Sequence, residues 1–196
     1  MMLSPVPLRV TPSTEVTVPG AGGMLVLRHP RWADFEAWAE IRRRDADYLR
    51  PWEPDWVDGH LSRASYRIRL SRFKKLVAKD RAYPFHIVRS DTGALVGAAN
   101  LTHVERAAAQ SAKLGYWVAQ SQAGRGYARA AVRALTDFAF DTLSLHRVEA
   151  AVQPDNAASV RVLEAAGYTH EGTARGLLKI NGAWADHAVY ARLRGD

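Results

Sequence analysis

The chain contains no cysteine. That absence excludes disulfides, thiolate metal sites and any mechanism with a covalent cysteine intermediate, and it suits a reducing compartment. The N-terminus lacks a basic-then-apolar leader, and no apolar run approaches the roughly 18 residues of a bilayer span, so the expectation is a cytoplasmic protein with no membrane partner. Acidic residues are in deficit: 20 Asp and Glu face 27 Lys and Arg, for a formal net charge of +7 and a pI of about 10.0. Charge of this sign favours an acidic partner, whether nucleic acid, ribosome or a polyanionic small molecule, without choosing among them.

What the chain does have is enough apolar content, 47% of 196 residues, to bury one substantial core. No Pro/Gly/Ser-rich linker divides it. The expected organisation is an N-terminal arm over residues 1–23 and a single domain over residues 24–196. Pro5, Pro7, Pro12 and Pro19 make residues 1–20 read as irregular. A short strand over 24–28 precedes a helix over 31–44 with Phe35, Trp38 and Ile41 on one side. Pro51 and Pro54 then stop any helix, and the aromatics Tyr48, Trp52 and Trp56 around them are suited to line a pocket. Between Arg63 and Arg81 a stripe of Tyr66, Leu70, Phe73 and Val77 is surrounded by Arg and Lys. This is the pattern of a helix with a solvated basic back, or alternatively of a nucleic-acid surface.

Strands are expected over 83–89 and 94–104, joined by the turn sequence Asp91-Thr92-Gly93, and again over 113–119. A helix over about 125–142 leads to a strand over 147–153. A second helix starts at Asn156 and stops at Gly167, and strands over 168–175 and 185–193 finish the chain. Hairpins come first and strand–helix crossovers later, which implies an α/β fold with a mixed sheet.

The junction at Gln120–Ala131 carries the most chemistry. Gly124 and Gly126 keep the backbone bare between a strand and a helix, where first-turn amides point at a ligand. Phosphate or pyrophosphate fits such a place, although a tight turn with helix packing explains the glycines equally well. A Walker loop is excluded because no Gly-Lys-Ser/Thr is present. A dinucleotide fingerprint is excluded because Arg129 stands where a third small residue is needed.

Taken together, Gly124-Arg125-Gly126-Tyr127-Ala128, Asn156-Ala157-Ala158-Ser159 and Leu163-Glu164-Ala165-Ala166-Gly167-Tyr168 resemble the motifs of the GNAT superfamily of acyl-CoA-dependent N-acyltransferases. Leu49-Arg50-Pro51-Trp52-Glu53-Pro54, the run from Leu95 to Leu101, Leu114-Gly115-Tyr116 and the run from Asn181 to His187 are similar to its RimJ/RimL branch, on the RimJ side. The resemblance spans residues 24–194. It implies a mostly antiparallel central sheet with a splayed strand pair, flanked by helices. It also implies acetyl-CoA as cosubstrate, no metal, and transfer of acetyl to the N-terminal Ala or Ser amine of a ribosomal protein by direct attack on the thioester. The basic surface would then serve association with ribosomal RNA. A small-molecule amine acceptor, and a catalytically silent acyl-CoA- or RNA-binding module, stay open as alternatives.

The resemblance also implies roles. Trp117, Val118 and Ala119 would follow the pantetheine arm along the splayed strand. Gly124, Arg125, Gly126, Tyr127, Ala128 and Arg129 would hold the pyrophosphate, and Asn156 a pantetheine amide. Ser159 would protonate the leaving thiolate, because Leu163 occupies the position where the superfamily often has Tyr. Trp52, Glu53, Tyr116 and Asp186 would receive the acceptor, with Glu53 as a catalytic or ammonium-binding carboxylate. Glu105 and His187 are further candidates for a proton relay. The pattern departs from the family at Lys113 and Leu178, where relatives have Glu, and at Ala123. The first two departures weaken the case for a dedicated carboxylate base. An α-amine, with a reference pKa near 7.7–8.0 against about 10.4 for Lys, has the lesser need of one.

Overall fold

The computed structural model describes residues 15–20 and 23–196. Its strands are β1 (Glu15–Gly20), β2 (Gly23–Arg28), β3 (Tyr83–Arg89), β4 (Leu95–Glu105), β5 (Ser111–Val118), β6 (Arg147–Val152), β7 (Thr169–Ile180) and β8 (Ala183–Leu193). The helices are α1 (Phe35–Arg44), α2 (Ala46–Leu49), α3 (Arg63–Ala78), α4 (Tyr127–Asp137) and α5 (Ala157–Ala165). The strands form one sheet in the order β1-β2-β3-β4-β5-β6-β8-β7. Among these neighbours only β5 and β6 run parallel. The sheet is mixed, as the hairpin-then-crossover order implied, and mostly antiparallel, as the resemblance implied.

Strand alternation divides the side chains between two helical layers. Leu25, Leu27, Phe85 and Ile87 face one side and form a core with Ala131, Val132, Leu135 and Phe138 of the α4 region. On the other side Phe35, Trp38 and Ala39 of α1 meet Tyr66 of α3, with Tyr66 and Trp38 ring centroids 5.0 Å apart. The helix expected over 31–44 begins as a 3-10 turn, Trp32–Asp34, and becomes α-helical at Phe35. The helix after the glycine loop likewise ends at Asp137 and continues as a single π-helical turn, Phe138–Thr142.

The expected irregularity of residues 1–20 is corrected for residues 15–20. They pair with β2 from Glu15↔Arg28 to Gly20↔Gly23, and Val16 and Val18 pack against the core. The alternating valines and the open edge of β2 outweigh Pro19, which an edge strand tolerates. Residues 1–14 lie outside the described residues. At the other end, β7 and β8 run longer than expected and meet at Asn181 and Gly182, whose φ values of 46° and 85° make the tight two-residue turn that Asn-Gly favours.

The decisive topological feature is how little β5 and β6 share. They pair only from Ser111↔Arg147 to Lys113↔Glu149. Beyond that, β5 stays with β4 as far as Val118, while β6 stays with β8 as far as Val152↔Ala188. A wedge opens between them, which is the splayed pair the resemblance implied.

Beneath α1 lies a buried polar cluster. Arg28 donates to both oxygens of Asp34, at 2.8 and 2.6 Å, and the Arg31 amide donates to the same carboxylate at 2.8 Å. His86 Nδ1 donates to it as well, at 2.9 Å. Burial opposes ionisation of Asp34, yet the hydrogen bonds from Arg28, His86 and Arg31 outweigh it and hold the carboxyl far below its ordinary value of 3.8. A depressed folded value means that this stabilisation is present above the unfolded value and is lost as pH falls below it. Asp34→Asn is therefore expected to destabilise the fold at pH 7 by about 3 kcal/mol. The deficit should narrow progressively below about pH 4. Urea unfolding of both proteins from pH 7 to pH 3 measures it, and a pH-independent deficit would place the effect in packing instead.

Candidate active site

The wedge determines which backbone groups of β5 are available. The Ala119 amide donates to Val96 O at 2.8 Å, which continues the β4–β5 register in which Ala98 faces Trp117 and Gly97 faces Val118. In an antiparallel pair the hydrogen-bonding groups of successive residues alternate sides. Those of Trp117 and Ala119 thus turn toward β4, while those of Tyr116 and Val118 turn into the wedge. Ala119, expected to contact the cofactor, is a correction: it is buried, its amide is spent on β4, and it lines neither cavity described below. A Cβ on Gly97 would overlap the Trp117 carbonyl, so glycine is what lets β4 and β5 approach at this point.

After β5 the chain makes a 3-10 turn, Gln120–Gln122, held from outside the sheet. Asp45, 3% exposed, accepts from the Gln120 amide at 2.8 Å and from Arg44 Nε at 2.7 Å. The loop then passes Gly124 and Gly126 at φ 75° and 73°, left-handed values that favour glycine. Gly126 is the N-cap of α4 and brings no side chain to the helix end. The first helical bond runs from the Ala130 amide to Gly126 O, so the Ala128 and Arg129 amides have no acceptor within the helix. Facing this loop, Asn156 caps α5 by accepting from the Ser159 amide at 3.1 Å.

Two cavities result. A cleft of about 880 Å³ runs from the glycine loop past α5 and under α2. Arg129 and Arg161 line it, while Arg125, expected beside Arg129, is exposed and does not. Tyr127 borders the cleft, but its ring is buried in the core. A smaller cavity of about 310 Å³ lies between β5 and β6, with Asn100, Gln153 and His187 on its walls. Trp52, Glu53, Tyr116, Trp117, Asn156 and Ser159 border both. The wedge is thus a passage with a different compartment at each end, and six of the sequence-derived candidates stand at the junction.

Their chemistry there is specific. Tyr116 donates its hydroxyl to Ser159 O at 3.1 Å, and burial raises its pKa well above the ordinary phenol value, so it is a neutral strut between β5 and α5. The bonds at Ser159 use its backbone N–H and carbonyl, which leaves the hydroxyl to the cavities. Leu163, in place of the usual Tyr, is fully buried and offers no proton.

Glu53 differs from expectation. Its carboxylate accepts from both terminal nitrogens of Arg42, at 2.9 Å from Nη1, and from Trp56 Nε1 at 2.7 Å. The guanidinium lies 4.3 Å from the Trp56 ring centroid, 5.6 Å from that of Trp117 and 5.9 Å from that of Trp38. Glu53 is therefore at the junction but its charge is matched, which argues against a free ammonium-binding or catalytic carboxylate. The sequence carried a signal for its partner: Arg42 stands four residues after Trp38, on the buried side of α1.

Asp186 is a second correction. Its Oδ1 accepts from the Gly176 amide at 2.7 Å, and it lines neither cavity. It fastens the irregular stretch of β7 instead. Glu105, exposed at the end of β4, is equally remote from both. Sequence reasoning missed Asn100, Gln153 and Arg161.

Comparison with known proteins decides the family. The Acetyltransferase (GNAT) domain matches residues 24–169. The chain is 35% identical over 175 residues to the protein named Probable N-acetyltransferase YjcK of Bacillus subtilis (strain 168), covering 89% of this chain and 97% of that one. It is 29% identical over 160 residues to the [Ribosomal protein uS5]-alanine N-acetyltransferase of Escherichia coli (strain K12), covering 81% and 82%. The solved structure of Mycobacterium smegmatis RimJ in complex with CoA-disulfide superposes with a TM-score of 0.87 at 35% identity, over 93% of this chain and 88% of that one. The chain belongs to the GNAT acetyltransferase family. As a GNAT protein it is an N-acetyltransferase that uses acetyl-CoA. Left-handed glycines, helix-start amides and Arg129 and Arg161 along the larger cleft fit a polyanionic cosubstrate.

In this GNAT protein the Arg42–Glu53 pair ties α1 to the junction, and cutting it from either side leaves one charge partly buried and unmatched. Arg42→Gln and Glu53→Gln are each expected to lower stability and raise the acceptor KM several-fold. The double variant should cost less than the sum, with a coupling of about 1–3 kcal/mol. Urea unfolding and steady-state kinetics of the four proteins measure it, and additive losses would show that the two charges act separately.

Proposed function

We propose that the protein acetylates the α-amino group of a polypeptide, an N-terminal Ala or Ser of a ribosomal protein, in the cytoplasm. The observation that carries this reading is the matched charge of Glu53, which leaves the smaller cavity without an uncompensated carboxylate to hold an ammonium ion or strip a strongly basic amine. An acceptor must then arrive largely uncharged. An α-amine near neutral pH is short of that state by about one pKa unit, whereas a lysine is short by roughly three. The likeness to the uS5-alanine N-acetyltransferase and to RimJ supports the same acceptor class.

Under this reading the glycine loop and the Ala128 and Arg129 amides hold the cosubstrate's pyrophosphate, with Arg129 and Arg161 nearby. The Tyr116 and Val118 backbone groups accompany the acyl-bearing arm into the wedge, where an amide can meet the developing oxyanion. Trp52 walls the acceptor side. Ser159 donates its hydroxyl proton to the departing thiolate. The basic back of α3, which carries Arg67, Arg72, Lys74 and Lys75 and no acidic residue, would favour approach to a ribosomal polyanion. The modest size of the smaller cavity, about 310 Å³, also suits a small-molecule amine, and this is the second reading.

A thiol-release assay with acetyl-CoA separates the readings. Ala- and Ser-initiated peptides should turn over while N-blocked peptides, free Lys, polyamines and amino-sugars do not. Turnover of small amines alone would transfer the enzyme to metabolite chemistry, and cofactor binding without turnover would leave only a silent acyl-CoA-binding module. On the preferred acceptor, Ser159→Ala is expected to lower kcat about 100-fold with the acetyl-CoA Kd unchanged. An unchanged kcat would remove Ser159 as the proton donor.

A further inference from the structure

Attack of an amine on a thioester makes the nitrogen cationic, and that nitrogen must shed a proton before the amide is stable. The sulfur leaves as a thiolate that must gain one. The overall reaction, amine plus thioester to amide plus thiol, is balanced when the proton lost at nitrogen replaces the one delivered at sulfur. Ser159 serves the second transfer in the reading above. Three titratable side chains line the smaller cavity, where the first must occur: Glu53, Tyr116 and His187.

Two of the three are committed. Glu53 is held by Arg42 and Trp56. Tyr116 donates to Ser159 O, and its burial keeps it protonated. His187 is different. Its Nδ1 lies 3.0 Å from Ala185 O, and a carbonyl can only accept, so Nδ1 carries the hydrogen. In the neutral ring Nε2 then bears the lone pair, and it is the one polar atom that the ring can offer to the cavity it lines. The residue is 3% exposed and sits on β8 opposite Ala174 of β7. Next to it, Ala188 faces Val152 of β6. These register neighbours bring no charge. Among the residues that line the smaller cavity the other charged side chain is Glu53, with its matching Arg42, and Asp186, adjacent in sequence, accepts from the Gly176 amide.

We propose that His187 Nε2 is the proton acceptor for the attacking amine. A lone pair on β8 and a hydroxyl on α5 then border one cavity, so the two proton transfers are served from separate walls. The proton His187 takes from nitrogen returns through solvent to replace the one Ser159 gives to sulfur. The inference rests on the acetyl-transfer reading but does not depend on which amine is the acceptor.

The test is the pH dependence of kcat/KM for the wild type and His187→Gln, with an Ala-initiated peptide and with a small amine. If the reactive state needs both a neutral ring and a neutral amine, log kcat/KM of the wild type rises with a limiting slope of two at low pH. In His187→Gln the slope falls to one. The variant should lose about 100-fold in kcat, with the acetyl-CoA Kd within twofold as the check on folding. A slope of two retained in the variant, or a kcat within threefold of wild type, overturns the proposal. If His187→Gln no longer binds acetyl-CoA, His187→Ala with added imidazole decides: recovery supports the role and no recovery overturns it. Turnover of the small amine but not the peptide would defeat the N-terminal reading while still testing His187. No turnover of either amine would remove both.

Discussion

Two strands that part after three residue pairs set the conditions for everything else in this protein. Had β5 and β6 stayed paired from Lys113 and Glu149 onward, the Tyr116 and Val118 backbone groups would be consumed by the ladder. The six residues at the junction would then face a continuous sheet. Because the strands diverge, buried sheet backbone is left without a sheet partner, an arrangement that is costly unless something else meets those groups. The sheet thereby makes a receptor from main-chain atoms alone, and side chains are needed only at its borders.

Those borders are built from distant parts of the chain. Asp45, at the junction of α1 and α2, fixes the start of the glycine loop through the Gln120 amide. Arg42, one helical turn earlier, fixes Glu53 through a two-pronged contact beneath three indole rings. The Asn181 amide at the β7–β8 turn donates to Glu53 O at 3.1 Å, so the same residue is gripped by its side chain from one side and its backbone from the other. A rotation of α1 would move the cosubstrate loop and the acceptor wall together. Charge matching at Glu53 has a chemical side as well, since a neutral wall does not trap an acceptor as its ammonium form.

Much of this was legible in the sequence, for reasons that differ by element. The hairpin turn at Asp91-Thr92-Gly93, the stop at Gly167 and the glycine loop could be read because turn and cap chemistry is local. Ser159, Asn156 and Tyr116 could be placed because they stand in motifs of fixed spacing. Only the placement of Arg42 on the buried side of α1 hinted at the partner of Glu53, because eleven positions and a break in the helix separate the two. Asp186 misled for the complementary reason: a carboxylate near the end of a strand looks available until the irregular stretch of β7 brings the Gly176 amide onto it. The β1 strand was hidden by Pro19, whose cost depends on whether a strand is central or at an edge, and composition does not say which.

The narrow contact between β5 and β6 also has a meaning for how the molecule assembles. From β1 to β5 every neighbour in the sheet is also a neighbour in sequence, and β7 and β8 close on a two-residue turn. The β1–β2, β3–β4, β4–β5 and β7–β8 pairings close short loops and form early, whereas β2 meets β3 only across residues 29–82, which hold α1, α2 and α3. The parallel pair must likewise wait for the glycine loop, α4 and its π turn to cross over, and it then yields only three residue pairs. The sheet is in effect two leaves stitched by one short seam. Its line of chemistry and its line of least mechanical resistance coincide, and whatever occupies the wedge splices the leaves into a single body.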